Sequence, residues 1–212
     1  MNPDPGRRRL LWAAGAWLLA AGARAAARLE PTPAQTAGPF YPTEPPLDDD
    51  NDLTRVRGAS GVARGRITDL NGRVLDRNGK PIERTRIEIW QCDANGRYHH
   101  PSDRAGGRDA HFQGFGHTVT DAEGRYRFRT IRPVPYPGRT PHIHFAVFPG
   151  GEQPFVTQLY VRGEPLNARD GLFNDIPADR REWVLADFTP AQGSGAELMA
   201  TFNVILDLTP RG

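Results

Sequence analysis

The segment PYPGRTPHIHF, residues 135–145, gathers residue types that can bind a metal ion. It contains Tyr136, His142 and His144, in a chain that has only six histidines and five tyrosines. In a β-strand, residues two apart point to the same face and lie about 6–7 Å apart. His142 and His144 can therefore converge on one ion, while Ile143 points the other way into the packing. This pair alone is compatible with zinc, copper or iron.

Two tyrosines near the histidine pair narrow the choice of metal. Tyr136 precedes His142 within the same segment, and Tyr98 lies in NGRYHH, just after a predicted strand that ends at Trp90. A tyrosine ionises only near pH 10 unless a strongly cationic centre stabilises its phenolate. Ferric iron does so, and two tyrosinates and one hydroxide balance its three positive charges. A buried site is therefore feasible without further ions.

The elements that must position these residues are short β-strands within residues 61–212. The pairs Asn71-Gly72 and Asn78-Gly79 are typical of tight turns and should divide the first strands from one another. The stretch RYRFRT alternates arginine with Tyr, Phe and Thr, and PHIHFAVF, FVTQLYV and AELMATFNVILDL continue the β pattern. Helical periodicity is weak, with a turn or two expected at residues 177–184. We therefore predict an all-β domain, a two-sheet β-sandwich with long loops.

The segment before this domain has a different composition. Residues 28–60 are rich in Pro, Thr and Asp and show neither helical nor strand periodicity, which predicts an extended N-terminal arm. The acidic run from Asp48 to Asp52 is interpreted as a solvated loop. It lacks the ligand spacing of a helix-loop-helix calcium site.

Residues 1–27 have the features of an export signal. A triplet of arginines beginning at Arg7 precedes the apolar run LLWAAGAWLLAAGA, and small residues allow cleavage after Ala25 or Ala27. The order R-R-x-L-L favours a twin-arginine signal, with an ordinary secretory signal or an uncleaved anchor as alternatives. We therefore expect a periplasmic or secreted protein with no stable membrane insertion after cleavage.

The charge and cysteine content exclude some classes of function. The formal net charge is +2, but residues 1–27 carry four arginines against one aspartate, so the remaining chain is slightly acidic. No basic stripe with interleaved aromatic residues occurs, and we expect no nucleic-acid partner. Cys92 is the only cysteine, which precludes an intrachain disulfide, and its place after a predicted strand favours a buried, inert thiol.

Four separated motifs carry a resemblance to a known family. IWQCDANGRYHHPSD, GFGHTVTDAEGRYRFRTIRP, PYPGRTPHIHF and FVTQLYV occur in the order found in the intradiol ring-cleavage dioxygenases, and TAGPFYP resembles the family's entry segment. The resemblance covers most of residues 36–176. It is closest to secreted single-chain members, because the helical N-terminal dimerisation region of catechol 1,2-dioxygenases has no counterpart.

The resemblance implies roles for individual residues. It implies a mononuclear Fe(III) cofactor whose ligands are Tyr98, Tyr136, His142 and His144. It implies that Tyr136 also leaves the iron and accepts a substrate proton, and that Arg139 stabilises negative charge on the substrate ring. It places Gln158 close to the iron and Trp90 in the pocket wall. Tyr41 and Gly138 are further candidates for the substrate pocket.

The same resemblance implies the reaction. The substrate would be a catechol-type diol, the second substrate O₂, and cleavage between the two hydroxylated carbons would give a cis,cis-muconate without an external reductant. Two departures suggest a more open pocket than in the cytosolic members: the segment between Tyr136 and the histidines is shorter, and Gly138 stands where those members carry a bulky residue. Assembly into a homo-oligomer is compatible with the sequence.

Two other classes of function stay open at this point. A transthyretin-like β-sandwich that binds without catalysis explains the strands but leaves the tyrosines and the histidine pair unexplained. A periplasmic copper or zinc protein explains only the histidines. The remaining histidines and tyrosines are predicted to be structural: loop or rim positions for His99, His100, His111 and His117, and core positions for Tyr126 and Tyr160.

Overall fold

A computed structural model describes residues 28–43, 48–151 and 153–208. The predicted export signal at residues 1–27 lies outside the described residues. The strands in chain order are β1 (Ile67–Asp76), β2 (Arg86–Trp90), β3 (Phe115–Val119), β4 (Arg125–Ile131), β5 (His142–Phe148), β6 (Phe155–Val161), β7 (Leu185–Ala186), β8 (Thr189–Pro190), β9 (Leu198–Thr201) and β10 (Val204–Leu206). The helical segments are the 3₁₀ helices Pro165–Arg169 and Ala178–Val184 and the single α-helical turn α1 (Gly171–Asn174).

The strands form two five-stranded sheets. In the first sheet β1 pairs with antiparallel β4 along one edge and with parallel β9 and β10 along the other, and β8 extends β9. In the second sheet the order is β3-β2-β5-β6-β7. The predicted all-β class with two sheets is confirmed. None of the helices in the described part of the chain is long and apolar enough to cross a membrane.

The second sheet separates the hydrophobic core from the candidate site. Alternate residues of β5, such as Ile143 and Phe145, are fully buried in the core cluster between the sheets. His142 and His144 project from the opposite face, as the alternation of a strand requires. That outer face is covered by loops and by the N-terminal arm, so both histidines are buried as well.

The predicted turn at Asn71-Gly72 is wrong. β1 continues through both residues as one ten-residue strand. Gly72 serves close packing there: a Cβ at this position would meet the backbone carbonyl of Phe202, and it would lie 2.6 Å from the Tyr126 hydroxyl. A glycine inside a strand often marks such a close approach. The second predicted turn is confirmed, because Gly79 has a φ of 81° and its N–H donates to the Asp76 carbonyl.

The C-terminal strand pattern is interrupted in the structure. Residues 196–208 form two short parallel partners of β1, with Phe202 and Asn203 between them. Phe202 is buried in the core, and its carbonyl accepts a hydrogen bond from the Tyr126 hydroxyl. The helical turns expected at residues 177–184 are present as a 3₁₀ helix.

The N-terminal arm runs over the domain without forming helix or strand in residues 28–43. Thr32 exchanges hydrogen bonds with the backbone of Ile205 in the first sheet. Gln35 donates from its backbone N–H to the Val156 carbonyl in the second sheet. The arm therefore crosses from one sheet to the other and ends over the outer face that carries the histidines.

Candidate active site

The histidine pair has a fixed arrangement on the outer face of β5. The Nε2 atoms of His142 and His144 lie 3.2 Å apart. The Nδ1 atom of His142 lies 2.6 Å from the Thr140 carbonyl, which can only accept, so Nδ1 carries the proton. This tautomer leaves the Nε2 lone pair of His142 directed at its neighbour, where one ion could be shared.

Both imidazoles are held in the neutral state that a metal ligand requires. Burial, assisted by the charge of Arg139, lowers the pKa of His142 to about 4. Burial and the neighbouring His142 lower the pKa of His144 well below its usual value. The two neutral imidazoles can therefore each donate a lone pair to a metal ion, and neither adds a positive charge that would repel it.

Trp90 fixes the ring plane of His144. Trp90 and His144 are paired residues on the adjacent strands β2 and β5, and their rings stack with centroids 4.8 Å apart and an interplanar angle of 6°. The next strand places Gln158 directly opposite His144 on the other side. The cross-strand register therefore places Trp90, His144 and Gln158 side by side on three neighbouring strands.

Tyr98 reaches the histidines from the loop that follows β2. Its backbone N–H donates to Asp103 Oδ2 at 2.8 Å, and its ring stacks on Phe40 of the arm with centroids 4.4 Å apart. The hydroxyl lies 3.4 Å from His142 Nε2. The loop is braced at its base by the buried Asp93 carboxylate, which accepts hydrogen bonds from the backbone N–H groups of Asn95 and Arg97.

Tyr136 approaches from a tight turn on the other side. The turn is closed by a hydrogen bond from the Arg139 N–H to the Tyr136 carbonyl, and Gly138 adopts a φ of 85° that favours glycine. The Tyr136 ring centroid lies 5.4 Å from that of Tyr98 and 5.6 Å from that of His142. The structure thus brings all four predicted metal ligands together.

The donor set fits a strongly cationic metal. Burial raises the pKa of Tyr98 well above its usual value and also raises that of Tyr136, so neither phenol ionises here without a cation. In the described ranges no group of three His, Cys, Asp or Glu side chains could hold a metal. Beside the histidine pair, the described residues offer the oxygens of Tyr98 and Tyr136 as further donors.

Arg139 is anchored on three sides. Its Nε donates to Asp170 Oδ2 at 2.8 Å and its Nη2 to Gln158 Oε1 at 2.6 Å, while Nη1 lies 3.5 Å from the Tyr136 hydroxyl. Burial by itself would lower the pKa of Arg139, but the hydrogen bond and charge of Asp170 raise it. A permanent positive charge therefore faces the Tyr136 oxygen.

Gln158 connects the arm to this arginine. Its Nε2 donates to the Thr36 carbonyl, and its Oε1 accepts from the Tyr160 hydroxyl as well as from Arg139. The Gln35 amide donates in turn to the Tyr160 hydroxyl at 2.9 Å. Tyr160 is buried as predicted, but its hydroxyl also joins the polar network beside the site.

Sequence reasoning missed Asp170 and Gln35. Asp170 precedes Gly171 at the start of α1, and its only sequence signal is that of a helix cap. Gln35 lies in an arm with no periodicity. Neither position is close to the histidines along the chain, so only the fold reveals that both reach the site.

A small pocket opens beside Tyr136. Its volume is about 190 Å³. Gly138 lines this pocket, and a Cβ at this position would meet nothing within 4 Å. The lining residues are Pro135, Tyr136, Gly138, Arg139, Thr140, Leu166, Arg169 and Asp170.

The other predicted pocket aromatic lies at the edge of the site. The Tyr41 side chain is 37% exposed, its hydroxyl donates to Glu88 Oε2 at 2.7 Å, and its ring meets Trp90 edge-on. Tyr41 therefore holds the arm against β2 and supports Trp90. It does not line the pocket beside Tyr136.

The residues predicted to be structural lie apart from the four proposed ligands or are buried. The Nδ1 atom of His117 lies 2.8 Å from the Asp49 carbonyl, and His100 Nδ1 accepts from the Ser102 N–H. Tyr126 is buried in the core. Cys92 is buried too, and burial raises the pKa of its thiol to about 12, so the predicted inert thiol is consistent with its surroundings.

Comparison with known proteins assigns the chain to a family. Residues 36–208 match the model of the Dioxygenase family. The chain is 39% identical over 186 residues to the protocatechuate 3,4-dioxygenase beta chain of Burkholderia cepacia, an alignment that covers 81% of this chain and 79% of that protein. It is 32% identical over 163 residues to hydroxyquinol 1,2-dioxygenase of Corynebacterium glutamicum, covering 67% of this chain and 50% of that protein.

A solved structure gives the same result. The dioxygenase domain of a dioxygenase carbohydrate-binding protein fusion from Streptomyces sp. SirexAA-E superimposes with a TM-score of 0.65 and 32% identity, covering 85% of this chain and 100% of that chain. The chain belongs to the intradiol ring-cleavage dioxygenases, a family of oxidoreductases. The resemblance inferred from the motifs is confirmed, and the non-catalytic sandwich is disfavoured.

Proposed function

We propose that the protein is an Fe(III)-dependent intradiol dioxygenase that cleaves a catechol-type diol with O₂ to a cis,cis-muconate. The observation that carries the proposal is the convergence of two neutral histidines and two tyrosines at one place. His142 Nε2 lies 3.4 Å from the Tyr98 hydroxyl and 3.2 Å from His144 Nε2. Tyr136 closes the fourth side.

The chemistry of the donor set supports ferric iron over zinc or copper. Buried phenols with raised pKa values become ligands only if a cation of high charge lowers those pKa values again. Bound Fe(III) would supply that charge and, by lowering the pKa values of the catechol hydroxyls, favour the electron-rich dianion that can react with O₂. The protein residues then have to bind, orient and move protons around the substrate.

Tyr136 is the tyrosine placed to exchange a proton with substrate. It is only partly buried and lines the small pocket, whereas Tyr98 is buried under Phe40. If the Tyr136 phenolate left the iron, it would accept the proton of a catechol hydroxyl as a general base. Arg139 Nη1 faces the same oxygen and can then stabilise negative charge that develops on the substrate.

The arm restricts water at the site. Phe40 packs on Tyr98, and a Cβ on Gly38 would lie 3.6 Å from His144 Cε1. The arm therefore packs against Tyr98 and His144, two of the four proposed ligands.

Charge-transfer absorption tests the proposal. The purified protein, loaded with one equivalent of ferric iron, should show a visible tyrosinate band that shifts when a catechol is added without O₂. His142→Ala should bind no iron and show no band. A wild-type protein that binds no ferric iron, or that consumes no O₂ with any catechol, would contradict the proposal.

We further propose that residues 1–27 direct export to the periplasm or beyond, by the twin-arginine route. The support is the arginine triplet and the apolar run in the sequence. Cell fractionation and N-terminal sequencing of the exported protein test this. Export that continues unchanged after replacement of Arg7 and Arg8 by lysine would contradict the twin-arginine route.

A further inference from the structure

The buried carboxylate of Asp170 sits behind the proposed charge-stabilising arginine. Its side chain is fully buried and lies between the 3₁₀ helix Pro165–Arg169 and α1. Oδ2 accepts from Arg139 Nε at 2.8 Å and from the Thr140 N–H at 2.9 Å, while Oδ1 accepts from the Phe173 N–H at 2.9 Å. The backbone N–H groups of Thr140 and Phe173 thus hold the carboxylate in place independently of Arg139.

This contact decides which nitrogen of Arg139 faces Tyr136. The guanidinium is planar, so holding Nε on Asp170 and Nη2 on Gln158 determines the position of Nη1. Nη1 is the nitrogen near the Tyr136 hydroxyl. A free arginine side chain has about 2 kcal/mol of rotamer entropy to lose, and the two anchors remove that freedom before substrate arrives.

Asp170 also supplies the countercharge that a buried arginine needs. The Arg139 side chain is 14% exposed, and Asp170 is its ion-pair partner among the described residues. Gln158 and Tyr160 contribute neutral oxygens only. Removal of the carboxylate would therefore leave a largely desolvated cation, which would be expected to turn toward the pocket and water.

We propose that Asp170 is a positioning residue for the reaction: it orients Arg139 so that Nη1 points at the oxygen of Tyr136 and of the bound substrate. The inference rests on the proposed function of the site. It assigns a mechanistic role to a residue that is not one of the proposed iron ligands and that acts through Arg139. Capping of α1 alone would not require such a role.

Asp170→Asn tests this role. The variant keeps the size of the side chain but loses the charge and one of the two acceptors. Misplacement of a charge-stabilising group by about 1 Å costs on the order of 10²-fold in rate, so kcat should fall by about that factor with a smaller change in KM. The tyrosinate band should shift as well, because Arg139 no longer faces Tyr136.

A matched control separates positioning from stability. Asp69 is another buried aspartate that pairs with arginines, Arg127 and Arg129, but in the first sheet. Asp69→Asn should destabilise the fold while it leaves kcat per bound iron and the visible band unchanged. Equal kcat values for the Asp170→Asn and Asp69→Asn proteins would overturn the inference.

A double-mutant cycle tests whether Asp170 acts through the arginine. If it does, Asp170→Asn should cause little further loss of kcat in an Arg139→Met background. Losses that multiply would overturn the inference. Should the asparagine variant not fold, Asp170→Ser preserves a cap for the Phe173 N–H and removes the Oδ2 contacts to Arg139 and to the Thr140 N–H, with the same expected loss of kcat.

The wild-type protein distinguishes this inference from the proposed function. A wild type without visible band or O₂ uptake contradicts the proposed function itself. A coloured and active wild type whose Asp170→Asn variant has wild-type kcat and band contradicts the positioning role alone.

Discussion

Replacement of Tyr98 by phenylalanine separates its role as a ligand from its role in packing. The ring stacks on Phe40, so phenylalanine leaves no cavity. The hydroxyl makes a long contact, 3.4 Å, with His142 Nε2, and it also interacts with Tyr136. A single hydrogen bond contributes about 1 kcal/mol, so the metal-free variant should melt within roughly 2–4 °C of the wild type.

In the iron-loaded state, the melting temperatures of the Tyr98→Phe variant and the wild type should differ by more. Loss of groups that merely support a metal ligand lowers affinity by about 10- to 100-fold, and loss of an anionic ligand should reach at least the upper value. At a fixed iron concentration this removes about 2.7 kcal/mol of metal-dependent stabilisation, or roughly 5–11 °C in melting temperature. The visible band should also weaken, because one of the two tyrosinates is gone.

The assay is thermal unfolding with and without ferric iron, together with absorption spectra of the loaded proteins. Tyr126→Phe is the matched control: Tyr126 is equally buried, and burial also raises its pKa well above the usual value, but it lies in the core between the sheets. It should leave the iron-dependent shift unchanged. A Tyr98→Phe protein with the full iron-dependent shift and an unaltered band would refute the assignment of Tyr98 as a ligand.

Three further substitutions test other parts of the account. Gly72→Ala should destabilise the fold by about 1–3 kcal/mol in chemical denaturation, because its Cβ meets the Phe202 carbonyl, whereas Gly151→Ala, with open space around it, should be neutral. Burial by itself would raise the pKa of Asp69, but hydrogen bonds from Arg129 and Arg127 hold that pKa below its usual value. The ionised carboxylate therefore stabilises the fold above about pH 4, and this stabilisation is lost as the pH falls. Asp69→Asn should therefore melt lower than wild type at pH 7 and nearly equally at pH 2. Arg169→Glu, at the pocket lining, should raise KM for carboxylated catechols more than for uncharged ones.

Each of these expectations has a contradicting result. Equal stability of the Gly72→Ala and Gly151→Ala proteins would mean that the close packing at β1 is not required. A constant difference in melting temperature between wild type and Asp69→Asn down to pH 2 would show that ionisation of Asp69 does not stabilise the fold. Parallel changes of KM for both kinds of substrate would show that the Arg169 charge does not act in the pocket.

The residue pattern and the family resemblance together predicted the residues that converge on the candidate metal. Strand alternation places His142 and His144 on one face, and this depends only on local geometry. The demand of tyrosine oxygens for a highly charged cation depends only on their chemistry. The approach of Tyr98 and Tyr136 required the resemblance to a family, because loops have no periodicity from which a position could be read.

The remaining parts depended on contacts between distant segments. The Asn71-Gly72 pair has the composition of a turn, but packing of Tyr126 and Phe202 against Gly72 makes it part of a strand. Asp170 and Gln35 reach the site only because the helical segment and the arm fold back onto the second sheet. Tertiary packing of this kind leaves no signature in a short window of sequence.

Isotope labelling of the product distinguishes intradiol cleavage from other reactions of a catechol at this site. The iron-loaded protein would be incubated with a catechol under ¹⁸O₂, and the mass of the ring-opened product would be determined by mass spectrometry. Intradiol cleavage should give a cis,cis-muconate that carries two ¹⁸O atoms, one in each new carboxylate. A product opened beside the diol, a product labelled with a single ¹⁸O, or no ring opening with any catechol tested would contradict it.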